Sequence, residues 1–174
     1  MRGNIEIPDS YTLEHYDAAG VLLHEESGTN LVTGEGRNHL GDILTQGEAA
    51  PGSFYVGLLD DSVGPTLSVS DTYATHGGWA EAPSNAYSQA TRPAWQPAAT
   101  VNQQILTSSP SEFSITNGPH TITGAFVATN STKADSAASG AWLWSVFLFS
   151  GGSRPVNTGD TLRVSYSTTM GLPS

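Results

Sequence analysis

The run WLWSVFLF, residues 142–149, constrains the fold more than any other segment. Only Ser145 interrupts its apolar character, so a strand here has no wet face and must be covered on both sides. The run is too short to cross a bilayer as a helix. FYVGLL, residues 54–59, makes the same demand. Two other segments ask for cover on one side only. TLRVSYST, residues 161–168, sets Leu162, Val164 and Tyr166 against Arg163, Ser165 and Ser167, and EFSIT, residues 112–116, puts Phe113 and Ile115 on one face. Turn chemistry separates these strands: Asn117-Gly118 precedes Ile122, and Asn157-Thr158-Gly159-Asp160 precedes the last strand.

One segment reads as a helix. In NLVTGEGRNHLGDILTQGE, residues 30–48, Leu40, Ile43 and Leu44 recur at spacings of three and four, bracketed by Gly36 and Gly47. The 19 Gly and 10 Pro, with only 13% charged residues, fit short strands joined by turns. The expectation is a mainly-β chain: an antiparallel β-sandwich, jelly-roll-like, with one short helix packed on a sheet edge, occupying residues 29–174. Residues 60–100 break the pattern. They hold Pro65, Pro83, Pro93 and Pro97 with Trp79, Tyr87 and Trp95, which predicts an ordered excursion outside the central sheet. The stretch STKADSAASG, residues 131–140, reads as an exposed loop tip.

Residues 1–28 read as an N-terminal β-hairpin arm turning on Asp17-Ala18-Ala19-Gly20, the residue preference of a type I turn with a following glycine. Pairing Asp17 with Val21 places Tyr11, Leu13, Val21 and Leu23 on one face and Glu14 opposite His24. A shift by one residue would set Glu14 against Glu25, a like-charge pair, so the first register is preferred. A two-stranded ribbon cannot bury its apolar face alone, so Tyr11, Leu13 and Leu23 are expected to meet a partner surface or the body of the domain. Trp79, Tyr87, Arg92 and Trp95 are the corresponding candidates on the excursion, with Arg92 forming an ion pair that orders it.

Charge excludes one class of partner. Sixteen acidic residues face six basic ones, a net charge of −10. Eleven of the acids lie in residues 1–61 against Arg2 and Arg37, so the first third carries nearly all of the imbalance. Such a chain cannot neutralise phosphates, and no nucleic-acid partner is expected. No cysteine is present, which removes disulfides, thiolate metal sites and a cysteine nucleophile. The N-terminus has no apolar signal region and no segment has the length of a membrane span, so no membrane partner is expected either.

Candidate chemistry is thin. Asp60-Asp61 and Glu25-Glu26 are adjacent pairs, and neighbours on a strand point to opposite faces, so neither suits glycoside hydrolysis. His76 with Asp71 and Glu81 lacks a second close histidine and reads as a structural cluster rather than a metal site. His15 and His24 fall on opposite faces in the preferred register. GxSxG, Walker and dinucleotide signatures are missing; the glycines of GEGRNHLG follow no buried parallel strand. No catalytic, cofactor-binding or metal residue is assigned, and the chain is expected not to be an enzyme. Trp79 and Trp95 raise a sugar-binding surface as an alternative, while Trp142 and Trp144 read as core or interface residues.

The ordered series TNLVTGEGRNHLGDIL, FYVGLLD, SDTYATHGGWAE, YSQATRPAWQPA, ITGAFVAT, WLWSVFLFSGGSRPV and NTGDTLRVSYST resembles a group of small virion proteins of tailed bacteriophages. The most diagnostic pieces are Gly36-Arg37-Asn38, Tyr55-Val56-Gly57-Leu58, residues 76–81, Thr91-Arg92-Pro93 and Gly159-Asp160-Thr161-Leu162. The resemblance runs from about Thr29 to Thr168 and is closest to jelly-roll capsid cement or decoration proteins. It implies a structural protein on the outer capsid surface of the virion, assembled in the host bacterial cytoplasm, with the major capsid protein and its own copies, as homodimer or homotrimer, for partners. A tail or fibre-associated protein with a host-glycan surface is the alternative.

Overall fold

The computed structural model describes residues 9–134 and 138–169. Strands β1 (Asp9–Tyr16), β2 (Leu22–Thr29) and β3 (Leu31–Val32) lead into the helix α1 (Gly34–Thr45). The strand β4 (Tyr55–Asp60) follows, then four short pieces: β5 (Ala80–Glu81), β6 (Gln96–Pro97), β7 (Gln104–Ile105) and β8 (Thr107–Ser109). The chain closes with β9 (Ser111–Ser114), β10 (His120–Ala128), β11 (Leu143–Leu148), β12 (Arg154–Val156) and β13 (Thr161–Thr169).

The fold is mainly β, with antiparallel sheets and a single helix among the described residues. One sheet runs β2-β1-β13-β7, with β9 also on β13; the other runs β3-β11-β10-β4-β5, with β12 also on β10. A small third pairing joins β6 to β8. The first two sheets pack face to face as a sandwich. Tyr11, Leu13, Phe113, Leu162, Val164 and Tyr166 from the first meet Val56, Leu58, Ala125, Val127, Trp144 and Phe147 from the second in one buried cluster.

The continuous apolar runs now have their two covers. The inner faces of β4, β10 and β11 meet the first sheet. Their outer faces carry Leu59, Phe126, Ala128, Leu143 and Val146, which pack with Tyr73 and Trp79 of the 60–100 excursion in a second buried cluster. The first part of the excursion, with Leu67, Tyr73 and Trp79, is therefore a third layer, while Ala82, Ala86, Tyr87 and Trp95 enter the core between the two sheets. At Gly57 on this outer face, a Cβ would lie 2.3 Å from the Phe126 ring, so only glycine lets that ring lie flat on the strand.

Helix α1 starts where Thr33 Oγ1 accepts the Gly36 N–H at 3.0 Å, an N-cap bond. It packs on β11, and Gly36 is the contact residue: a Cβ there would sit 2.8 Å from the Trp144 carbonyl oxygen. Leu40 and Ile43 rest against the core, as the spacing predicts, but Leu44 is 73% exposed. The helix uses a narrower stripe than its sequence offers. The turn signals are met: Asn117 has φ +51° and Gly159 has φ +98°. The Asp160 N–H closes the second turn on the Asn157 carbonyl.

The hairpin departs from expectation in two ways. First, it is not an arm. All eight residues of β1 pair with β13, and Tyr11 and Leu13 are buried, so a boundary at residue 28 would cut through a continuous sheet. The part of the expected arm before Asp9 lies outside the described residues, as do residues 135–137 of the expected loop tip. Second, the register changes along the hairpin. Beside the turn Tyr16 faces Leu22 as predicted, but a bulge between His15 and Tyr16 moves the rest by one residue. His15 then faces His24, Glu14 faces Glu25, and Leu23 turns to solvent.

The gain that offsets this unfavourable pairing is tertiary. His24, Glu26 and Gly28 now face the second sheet, and Glu26 Oε2 accepts the Gly151 N–H at 2.8 Å. Because β1 lies between β2 and β13 with its side chains in the core, Leu13→Ala is expected to cost about 3 kcal/mol. Urea denaturation measures this; a loss below about 0.5 kcal/mol would restore the arm reading.

Candidate functional site

Of the seven residues proposed to face partners, six are buried: Tyr11, Leu13, Trp79, Tyr87, Arg92 and Trp95. Leu23 alone is exposed. The aromatic residues of the excursion fold back onto the sheets, since leaving them in water would forfeit the burial of their large apolar surface. Trp79 has no open face. His76 stacks on one side with centroids 3.8 Å apart, and Phe126 lies 5.3 Å away. Trp95 donates from Nε1 to the Tyr166 carbonyl at 3.1 Å and meets the Tyr166 ring edge-on. Tyr87 packs edge-on against Phe113, and the one lysine, Lys133, places Nζ 4.2 Å from its ring centroid. Trp142 and Trp144, read as core or interface, are buried in the core.

The strongest concentration of polar chemistry surrounds a cleft of about 520 Å³ between the excursion and the outer face of the second sheet. Tyr73, His76, Trp79, Glu81, Arg92 and Phe126 line it. Arg92, expected to order the excursion through an ion pair, does so with Glu81. Its Nε and Nη2 donate to the two carboxylate oxygens at 2.8 Å each, a bidentate geometry. Nη1 donates to Tyr73 Oη at 2.9 Å and to the Asn130 carbonyl at 2.8 Å. The guanidinium also lies 5.0 Å from the Phe126 ring centroid. Hydrogen bonding and the charge of Glu81 hold Arg92 firmly cationic against the opposing effect of burial. With these donors engaged, the cleft presents a neutralised floor rather than an anion site. Asp71 is likewise occupied, accepting from Trp79 Nε1 at 3.0 Å and from the Ser68 N–H at 2.9 Å.

A second cluster closes one side of the sandwich. Tyr11 Oη donates to the Leu148 carbonyl and accepts the Ser150 N–H, while Arg154 Nη2 lies 2.9 Å from His24 Nε2. Burial pushes the Tyr11 hydroxyl pKa up, with the Glu26 charge adding to the effect. His15 and His24 share a face after all, contrary to the sequence reading, because of the bulge. Each has its own carboxylate, His15 with Asp160 at 3.0 Å and His24 with Glu26 at 3.1 Å. Among the described residues, no group of three or more histidine or carboxylate side chains converges as a metal site. The adjacent acids separate as strand geometry requires: Asp60 accepts the Ser62 N–H in a turn, and Glu25 faces outward while Glu26 faces in.

The third cluster was not foreseen. Asp9 is buried at the start of β1 and accepts from the hydroxyl of Tyr166, which in turn accepts from Trp144 Nε1. Burial pushes the Asp9 carboxyl pKa from 3.8 up to about 6, against the pull of neighbouring hydroxyls. Burial first, and then the Asp9 charge, raise the Tyr166 hydroxyl pKa well above its ordinary value. The only sequence signal was the alternation that puts Asp9 on the inward face with Tyr11 and Leu13. No helix among the described residues is long and apolar enough to cross a membrane. No family model matches the chain, and neither the curated proteins nor the solved structures contain a match to it.

Two outcomes follow from these clusters. Replacing Arg92 with Ala takes the bidentate cation from the largely enclosed Glu81, which among the described residues keeps only the Ala134 N–H, so a loss of about 3 kcal/mol is expected, with faster proteolysis in residues 60–100. Unchanged protease resistance would mean that the pair does not hold the excursion. For Asp9 the fold prefers the protonated form. Its contribution is complete below about pH 4 and is lost as pH rises through about 6. Asp9→Asn is therefore expected to gain about 2–3 kcal/mol on the parent between pH 4 and pH 7. A parent-to-variant difference that stays constant with pH, by urea denaturation, would rule this carboxyl out as the source.

Proposed function

We propose that this chain is a non-enzymatic structural protein of a tailed-phage particle, a cement protein that binds the outer capsid surface and bridges joints between subunits. The observation that carries the reading is the use made of its chemistry-bearing side chains. His15, His24, Glu26, Asp71, Glu81 and Arg92 all hold elements of the fold together. A scaffold of this kind offers surfaces and stiffness rather than a reaction centre. The resemblance of its segments to small virion proteins points the same way.

The acidic first third suits the outside of a shell better than contact with packaged DNA. In this reading the partners are the major capsid protein and further copies of the chain, as a homodimer or homotrimer matched to the symmetry axis it occupies. Binding only the assembled lattice stabilises that lattice by mass action, because the free subunits gain nothing. Neither cofactor nor nucleic acid nor membrane enters the mechanism. The glycan alternative rested on Trp79 and Trp95, and both rings are packed against other side chains, so it has no exposed tryptophan platform at those positions.

Quantitative mass spectrometry of separated heads and tails tests the proposal. The expected result is a fixed ratio of this chain to the major capsid protein in heads and its absence from tails. Recovery from tails alone would overturn it.

A further inference from the structure

We infer that the tip of the β1–β2 hairpin is the docking anchor of this protein, a preformed apolar knob that seats in an apolar recess flanked by lysine or arginine on a partner protein. The chemistry stands on the hairpin itself; assigning the partner to the capsid rests on the proposed function.

Residues 18–23 read Ala-Ala-Gly-Val-Leu-Leu, and all are exposed: Val21 is 56%, Leu22 46% and Leu23 55% accessible. No other stretch of the described chain exposes three large hydrophobic residues in succession. Such a patch is characteristic of an interaction site. The sheet register makes the exposure more telling. Had the turn's own register continued along β2, Leu23 would have joined Tyr11 and Leu13 on the inner face. The bulge places His24 there instead and leaves Leu23 in water.

The knob is also held in shape. Asp17 Oδ1 accepts the N–H groups of Ala19 at 2.9 Å and Val21 at 2.8 Å. The Gly20 N–H bonds the Asp17 carbonyl, and the Asp17 N–H bonds the Val21 carbonyl, each at 2.9 Å. Gly20 supplies the positive φ, +79°, that the turn requires. The Ala18 methyl leans on the turn at Gly159, where an added Cβ would come within 2.9 Å of it. A loop ordered before binding loses less entropy when it docks.

Charge selects the occupant. Beside the knob, Glu14 faces Glu25 across the outer face of β1 and β2. Glu14's other neighbour, Arg163 on β13, is bound to Glu112 at 2.9 Å and stacks over Tyr16. The row Glu25-Glu14-Arg163-Glu112 across β2, β1, β13 and β9 therefore carries three carboxylates and one arginine. Two copies meeting tip to tip would bring these acids together, in a chain whose net charge is −10. A basic-rimmed recess instead complements both the apolar centre and the acidic rim.

The test uses the full chain and particles from a phage lacking it, with heads and tails purified separately as probes. Wild type, L22S/L23S and E14Q/E25Q are added back, and bound protein is measured against salt concentration. L22S/L23S, altered only at exposed positions, is expected to melt like wild type yet bind about tenfold more weakly or worse. Wild-type binding should weaken as salt rises, and E14Q/E25Q should flatten that dependence. Tip-dependent binding to tails instead of heads would support the anchor while overturning the capsid reading. Unchanged binding of L22S/L23S to heads would overturn the anchor alone. A wild-type oligomer that L22S/L23S breaks by sedimentation, with particle binding intact, would make the tip a self-interface and overturn the anchor. Wild type binding neither particle would overturn both.

Discussion

The bidentate pair between Arg92 and Glu81 is the constraint on which the layered structure depends. Strands β4, β10 and β11 are apolar on both faces, so the sandwich alone leaves one of those faces in water. The 60–100 excursion supplies the missing cover, yet its prolines keep it out of any long strand and deny it a ladder of backbone bonds. Arg92 replaces that ladder. It reaches Glu81 at the edge of the second sheet, Tyr73 within the excursion and the Asn130 carbonyl beyond β10. Its own N–H bonds the Ser131 carbonyl, and Glu81 Oε2 receives the Ala134 N–H. A buried ion pair brings little net stability over apolar packing of similar volume, so its effect here is to place a loop, not to add energy.

The opposite side of the sandwich is closed by different means. The core there gives way to a polar seam in which Tyr11, His24, Glu26 and Arg154 join β1 and β2 to residues 148–154 of the second sheet. The seam accounts for the hairpin's odd register. Placing Glu14 against Glu25 on a wet surface costs little, because water and salt screen exposed charges. The register turns the Glu26 carboxylate inward to a nearly buried position, where Tyr11 Oη, His24 Nε2 and the Gly151 N–H surround it, and hydrogen bonds to a charge are worth more there. The inner contacts therefore win over the outer ones, and the displaced residue, Leu23, is the one that reaches solvent.

These two closures explain where a reading from the chain succeeds and where it fails. The outward and inward sides of β13, the double cover of β4 and β11, the presence of α1 and the turns at Asn117 and Gly159 were legible, since each follows from the spacing of residues along a few positions; the start of α1 was not, because Gly36, read as its bracket, lies inside a helix capped by Thr33. The pairing of Arg92 was legible as well, because a lone arginine among prolines and aromatics needs a carboxylate. The burial of Trp79, Tyr87 and Trp95 was not. Nothing within residues 60–100 says whether their rings meet the chain's own sheet or a partner, and the answer came from Phe126 and Tyr166, far along the chain. The Asp9 cluster was hidden for the same reason, as Tyr166 lies 157 residues away.

Local chemistry in the sequence thus determined the mainly-β class, the single helix, the turns and the strands that need cover on both faces. Periodicity and turn preference act over a handful of bonds, and no distant contact is required to express them. Tertiary structure alone decided the register of the hairpin, the fate of the tryptophans and the exposure of residues 21–23. Each of these depends on which of two competing surfaces a side chain meets. That choice is settled by contacts between segments distant in the chain: Glu26 meets Gly151 and His24 meets Arg154 across more than a hundred residues, and Trp95 meets Tyr166 across 71.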